Sequence, residues 1–234
     1  MNYTKIKRSD INSAIRYALK TLENNQLRLP AFAYWDMAEW RRHLPEIGNL
    51  KAVGLGWDVT DFGTGDFARV GSVLFTLRNG SAADPNAGTP YAEKLILQRH
   101  ATEQEIPFHF HRIKTEDIIN RGGGVLALEL YNSAPGGGMD KEGTILVKRD
   151  GFIHELPAGA VVEIEKGCSI TLHPGLYHRF WAKKGAGDLV AGEVSSVNDD
   201  SSDNVFLEAG SRFSEIDEDE PALTPLCNEY DLLG

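Results

Sequence analysis

From about Leu50 to Ser195 the chain is divided into apolar segments of strand length, separated by turn-forming residues. Candidate strands cover 70–77, 94–98, 107–112, 125–131, 144–148, 152–156, 161–165, 169–172, 177–181 and 189–195. Asn79-Gly80 closes the first of them. Asp150-Gly151 stands between 144–148 and 152–156 as a hairpin turn whose two central positions both need positive φ. Segments this short are marginal as helices, and many of them in series predict an antiparallel sandwich or barrel. Gly122-Gly123-Gly124 and Gly136-Gly137-Gly138 fall between strands. They read as permissive loops, because neither opens a helix as a phosphate cradle would.

The first fifty residues follow a helical period. Ile11, Ile15, Leu19 and Leu22 form one stripe after Ser9 or Asp10 as cap. Asp36-Met37-Ala38-Glu39, a carboxylate variant of the capping box, starts a second helix running through Trp40 to Leu44. The expected organisation is a single domain over 1–234, mainly β, with 1–50 a helical N-terminal extension that packs on the barrel or on a partner subunit.

Composition narrows the functional classes. The formal net charge is −10, so the surface repels phosphate backbones and nucleic acid is not an expected partner. The stretch from Asp199 to Glu220 holds nine carboxylates against the single base Arg212, and it reads as a solvated loop. Two cysteines, Cys168 and Cys227, suit a reducing compartment. No apolar run follows the basic residues of the N-terminus, and none approaches a membrane span. A soluble, cytoplasmic protein with no membrane contact is expected.

Two of the seven histidines form His109-Phe110-His111. On a strand, alternate side chains share a face, so both imidazoles point the same way. Lys114 and Glu116 share the same two-residue offset, and the three-residue step from His111 to Lys114 requires a bend. Downstream, Pro174-Gly175 makes a tight turn and His178 opens the next strand. Imidazoles and a carboxylate converging on one pocket form a ligand set for a divalent cation. His43 and His154 read as surface residues. His100 and His173 lie near the motif strands, either packed or orienting ligands.

These residues resemble a known superfamily. His109-x-His111-x4-Glu116 followed by Gly123 is similar to the first motif of the cupins, and Gly167-x7-Gly175-x2-His178 to the second. Glu103, His173 and Ala182 depart from the usual Gly, Pro and Asn. Lys114 within the first motif narrows the likeness to the D-lyxose isomerase family. So do Ala33-Tyr34-Trp35, Gly192-Glu193-Val194-Ser195, Asn198-Asp199-Asp200, Phe206-Leu207-Glu208 and Asp219-Glu220-Pro221. The resemblance implies a cupin (double-stranded β-helix, jelly-roll) barrel and one divalent ion per subunit, of manganese type, held by His109, His111, Glu116 and His178. It also implies a homodimer that converts a monosaccharide, D-lyxose to D-xylulose or D-mannose to D-fructose.

Such a reaction needs a base to move a proton between C2 and C1. Glu208 is the first candidate, by its place in the Phe-Leu-Glu stretch, and Glu193 the second. Lys114 would have its pKa depressed by a neighbouring cation and so assist proton transfer. Arg212 either holds sugar hydroxyls or pairs with nearby carboxylates. An iron-dependent cupin dioxygenase and a non-catalytic sugar-binding cupin share the ligand set, and both remain open on the sequence.

Overall fold

Alternation along short strands organises the chain in the computed structural model, which describes residues 5–199, 202–208 and 212–234. The start of the N-terminus and Asp200 of the Asn198-Asp199-Asp200 stretch lie outside the described residues. The strands are β1 (Ile6–Lys7), β2 (Gly56–Thr60), β3 (Ser72–Gly80), β4 (Gly88–Gln98), β5 (Glu105–His111), β6 (Glu116–Gly123), β7 (Leu126–Ser133) and β8 (Met139–Asp140). There follow β9 (Ile145–Arg149), β10 (Phe152–Leu156), β11 (Ala160–Ile164), β12 (Ser169–Leu172), β13 (Leu176–Ala182), β14 (Leu189–Ser196), β15 (Asn204–Phe206) and β16 (Ile216–Asp217).

β1 and β16 form a two-stranded parallel pair; of the two large sheets, one runs β10-β9-β12-β6-β14-β4-β3-β2 and the other β11-β7-β13-β5-β15, with β8 paired to β7. Pairing within both large sheets is antiparallel. Their inner faces share one apolar core. Leu74, Ile96, Ile118, Val147 and Ile170 from the first sheet meet Ile106, Leu128, Leu130, Val162 and Phe180 from the second. Burial of side chains of this size contributes about 1.5–3 kcal/mol each, so this interleaved layer is the main force joining the sheets.

The first sheet is also covered on its outer face. Val59, Val73, Phe75, Leu95 and Leu97 pack against Ile11, Ala14, Ile15, Ala18 and Leu22 of helix α1 (Arg8–Asn24). A strand buried on both sides loses the apolar–polar alternation by which it is recognised. That is why β2, buried at every position, is not apparent in the sequence.

Local details depart from the sequence reading in three places. Neither Ser9 nor Asp10 caps α1, whose N-cap position is Lys7 with no side-chain cap bond. Instead, Asp219 Oδ1 accepts the Ser9 backbone N–H at 2.9 Å and Oδ2 the Ser9 hydroxyl at 2.7 Å. A carboxylate from the far end of the chain thus meets the positive end of the helix. The acidic run is correspondingly not a solvated loop throughout, since Glu218 binds Arg8, Glu220 binds Asn12 and β15 joins the second sheet. Gly122 and Gly123 belong to β6 rather than to a loop. At Gly123, φ is +77°, and a Cβ there would collide with the Asp188 carbonyl.

Other readings hold. Asp36 Oδ1 accepts the Ala38 and Glu39 N–H groups to cap α2 (Met37–Arg42). Asp150 and Gly151 both have positive φ, between the paired Arg149 and Phe152.

Arg8 is 1% exposed and ties the two chain ends together, with Nη2 at 2.5 Å from Glu229 and Nε at 2.9 Å from Glu218. Arg8→Ala leaves the buried Glu229 unpaired and is expected to lower the unfolding free energy by about 3–5 kcal/mol. Hydrogen bonding to Arg8 depresses the Glu218 pKa below its ordinary 4.5. The Glu218 contribution is therefore complete above about pH 4.5 and is lost as pH falls through the depressed value. Melting curves of both proteins between pH 7 and pH 3 check this, and the gap between them narrows on acidification.

Candidate metal centre

β5 and β13 lie side by side, and His109 and His178 are directly paired across them. The two-residue period places His111 on the same inward face. Ring centroids are 4.2 Å apart for His109–His178, 5.1 Å for His109–His111 and 5.6 Å for His111–His178. One ligand nitrogen from each lies within 4.8 Å of the other two, and all three side chains are buried.

Local backbone geometry sets the tautomers. His109 Nδ1 is 2.9 Å from the Pro107 carbonyl and His178 Nδ1 is 2.9 Å from the Leu176 carbonyl, each two residues upstream. A carbonyl only accepts, so Nδ1 carries the proton in both rings and Nε2 presents a lone pair inward. His178 Nε2 and both nitrogens of His111 are buried without a hydrogen-bond partner among the described residues. Leaving buried polar atoms unsatisfied costs about 1–3 kcal/mol each. Burial, with His178 and His111 alongside, holds the His109 pKa well below its ordinary value, which favours the neutral, ligating form.

The carboxylate comes from the facing sheet. Glu116, the first residue of β6, has Oε1 at 3.2 Å from His178 Nε2 and Oε2 at 3.4 Å from His111 Nε2. The bend expected before it is built by Asp203. Its carboxylate accepts the Ile113 N–H at 2.7 Å and the Lys114 N–H at 3.2 Å, and stands 3.7 Å from His111 Nδ1. Three imidazole nitrogens and a carboxylate converging on a buried point, two of those rings with unsatisfied nitrogens, fit a divalent cation.

Lys114 is fully buried, and its ammonium meets three acceptors: Glu116 at 2.8 Å, Glu193 at 2.9 Å and Asn198 Oδ1 at 3.1 Å. Burial works to lower its pKa, but Glu116 and Glu193 outweigh burial and raise it. The protein's own groups thus push Lys114 opposite to the depression expected from a neighbouring cation. Glu193 sits on β14 directly opposite Lys94 of β4, with Lys94 Nζ at 3.5 Å. Burial would raise the Glu193 pKa, but Lys114 and Lys94 lower it, and it stays a carboxylate. Burial opposes ionisation of Glu116 too, and Lys114 and His111 overcome it.

Arg212 reaches the same cavity and is held by Asp58, with Nη2 at 2.5 Å from Oδ2. Glu208 does not reach it. β15 ends at Phe206, the Leu207 N–H donates to Phe108 O, and Glu208 is left exposed beside a neighbouring groove. Neither His100, bonded through Nδ1 to the Gly185 N–H, nor His173 contacts the cluster; the Pro107 and Leu176 carbonyls orient His109 and His178 instead. Lys94, Asp203 and Phe206 are additions to the sequence reading. Lys94 shares a strand face with Ile96 and Gln98, and a cation among inward positions was the available signal.

A sequence profile of the D-lyxose isomerase family matches residues 6–230. The D-lyxose/D-mannose isomerase of Escherichia coli O157:H7 is 47% identical over 229 residues, which cover 96% of this chain and 98% of that protein. The D-lyxose/D-mannose isomerase of Serratia proteamaculans is 44% identical with the same coverage. Among solved structures, the L-ribose isomerase of Acinetobacter sp. DL28 in complex with L-ribose superposes with a TM-score of 0.60 at 16% identity, over 93% of this chain and 100% of that one. The likeness shows the fold, a mainly β cupin barrel.

His111→Ala is expected to lose the cation while remaining folded. At a hundredfold excess over Kd, manganese should raise the stability of the unaltered chain by about 2.7 kcal/mol. The variant should show no such increase and no retained metal by elemental analysis. Equal stabilisation of both would remove His111 from the ligand set.

Proposed function

The chain belongs to the D-lyxose isomerase family, and on that premise we propose that it converts D-lyxose to D-xylulose and D-mannose to D-fructose. It is an aldose–ketose sugar isomerase. The observation that carries the chemical reading is a buried carboxylate, Glu193, flanked by two ammonium groups in the cavity that His109 and His111 also line.

In this reading His109, His111, Glu116 and His178 hold one divalent ion, of manganese type as the family resemblance implies. When bound, that ion would polarise the sugar carbonyl and acidify the adjacent C–H. Glu193 is the group placed to remove the C2 proton and return it to C1. Because Lys114 and Lys94 keep it ionised, it is available as an acceptor at neutral pH, and the same lysines limit its basicity. The Lys114 ammonium offsets negative charge that develops on O1 and O2 as the proton leaves C2. Arg212, pre-oriented by Asp58, binds sugar hydroxyls. Glu208 is not the base in this proposal, since it is exposed outside the cavity.

A homodimer in the cytoplasm completes the proposal. The dimer rests on the family resemblance, and the compartment on the two-cysteine, acidic composition. No described helix is long and apolar enough to cross a membrane.

Glu193→Gln is expected to keep its metal and to lose about 10²–10⁴-fold in ketose formation from either aldose, whereas Glu208→Gln keeps most of it. In deuterated water the unaltered enzyme should exchange or transfer the C2 proton, and Glu193→Gln should not. The reverse ranking of the two variants would return the base role to Glu208.

A further inference from the structure

The cavity around the histidines has a volume of about 40 Å³, room for roughly three waters. Its floor is apolar and closed by Ile96, Ile118 and Phe180. The partly exposed lining residues, Asn198, Asn204, Phe206 and Arg212, mark the mouth. An aldose whose C1–C2 end lies between the imidazoles and Glu193 must point its other end toward that mouth. The distal carbons of that chain therefore meet the side chains at the mouth.

Phe206 is the aromatic side chain at that mouth. It lies on β15, a three-residue edge strand whose only ladder partner among the described residues is β5, where it is paired with His109. Its ring packs on the His109 imidazole at 5.5 Å and on Phe62 at 5.7 Å. Beyond these two rings lies a groove of about 240 Å³, edged by Thr64, Glu105, Arg179 and Glu208. Phe62 cannot serve in the same way. It is held at φ +54°, a conformation that bulky residues rarely adopt. Thr60 Oγ1 accepts the Phe62 N–H at 2.9 Å, and the Asp61 carboxylate accepts the N–H groups of Gly63 and Gly65. A left-handed aromatic residue fixed by its neighbours makes a rigid backstop.

We infer that Phe206 determines how long an aldose the site accepts, by occupying the space that the distal hydroxymethyl group of a hexose would take between the histidine cavity and the neighbouring groove. The inference rests on the isomerase reading and extends it to the choice between sugars. D-lyxose and D-mannose are suited to test it, because they share configuration at C2, C3 and C4 and differ by one distal carbon.

The experiment compares kcat/KM for the two sugars in the full-length enzyme loaded with manganese. Phe206→Ala should raise the mannose-to-lyxose ratio by about tenfold or more, the discrimination typical of a one-carbon difference in an apolar pocket. Phe206→Trp should lower the ratio. Manganese stabilisation, read as the melting shift, should be unchanged in both variants, showing that His109 keeps its place. A ratio that stays within about twofold of the original in both variants, or equal losses on both sugars, would overturn the inference and leave Phe206 a packing residue for His109. If the unaltered enzyme forms ketose from neither sugar, the isomerase reading falls and this inference falls with it.

Discussion

A carboxylate buried in a barrel lined by isoleucine is tolerated only when its charge is met by something positive. Glu116 is met by Lys114 at 2.8 Å on one side, while on the other its oxygens face His178 Nε2 at 3.2 Å and His111 Nε2 at 3.4 Å, neither of which answers its charge without a cation between them. The rest of the site follows from that requirement. Lys114 needs acceptors for all three of its N–H groups, which Glu116, Glu193 and Asn198 supply. Glu193 in turn faces Lys94. The imidazoles bring no permanent charge, and the unsatisfied nitrogens of His178 and His111 are what a cation would complete.

The two sheets divide this work. The second sheet provides the histidines through β5 and β13, and the first provides Glu193 and Lys94 through β14 and β4. Glu116 opens β6 of the first sheet, immediately after the corner at which the chain crosses between them. Asp203 fixes that corner by taking two backbone N–H groups, so the acidic run contributes to the site as well as to the clasp on α1. The interleaved apolar core then determines how far apart the two sets of donors stand. Packing errors in that core would be felt as misplacement of ligands, because close-packed interiors transmit strain rather than absorb it.

Much of this was legible in the sequence wherever local pattern and local geometry coincide. His109 and His111 share a face because strand side chains alternate, and Asp150-Gly151 turns because both positions need positive φ. The joining of His178 to that pair came from motif spacing, since no local rule relates residues that meet only through the ladder of β5 and β13. The misses are non-local or doubly buried. β2 hides its alternation because α1 covers its second face. β15 and Asp203 sit in a segment whose composition reads as solvated, and only their partners on β5 and at the β5–β6 corner reveal them. Motif position singles out Glu208, but the end of β15 at Phe206 leaves it facing solvent.

The central claim is that donors from both sheets enclose a single divalent cation. Anomalous diffraction at the manganese absorption edge, on crystals grown with that ion, tests it most directly. The account predicts one strong peak among the inward nitrogens of His109, His111 and His178 and the carboxylate of Glu116. No peak at that position, or a peak elsewhere with Glu116 answered only by Lys114, would contradict it.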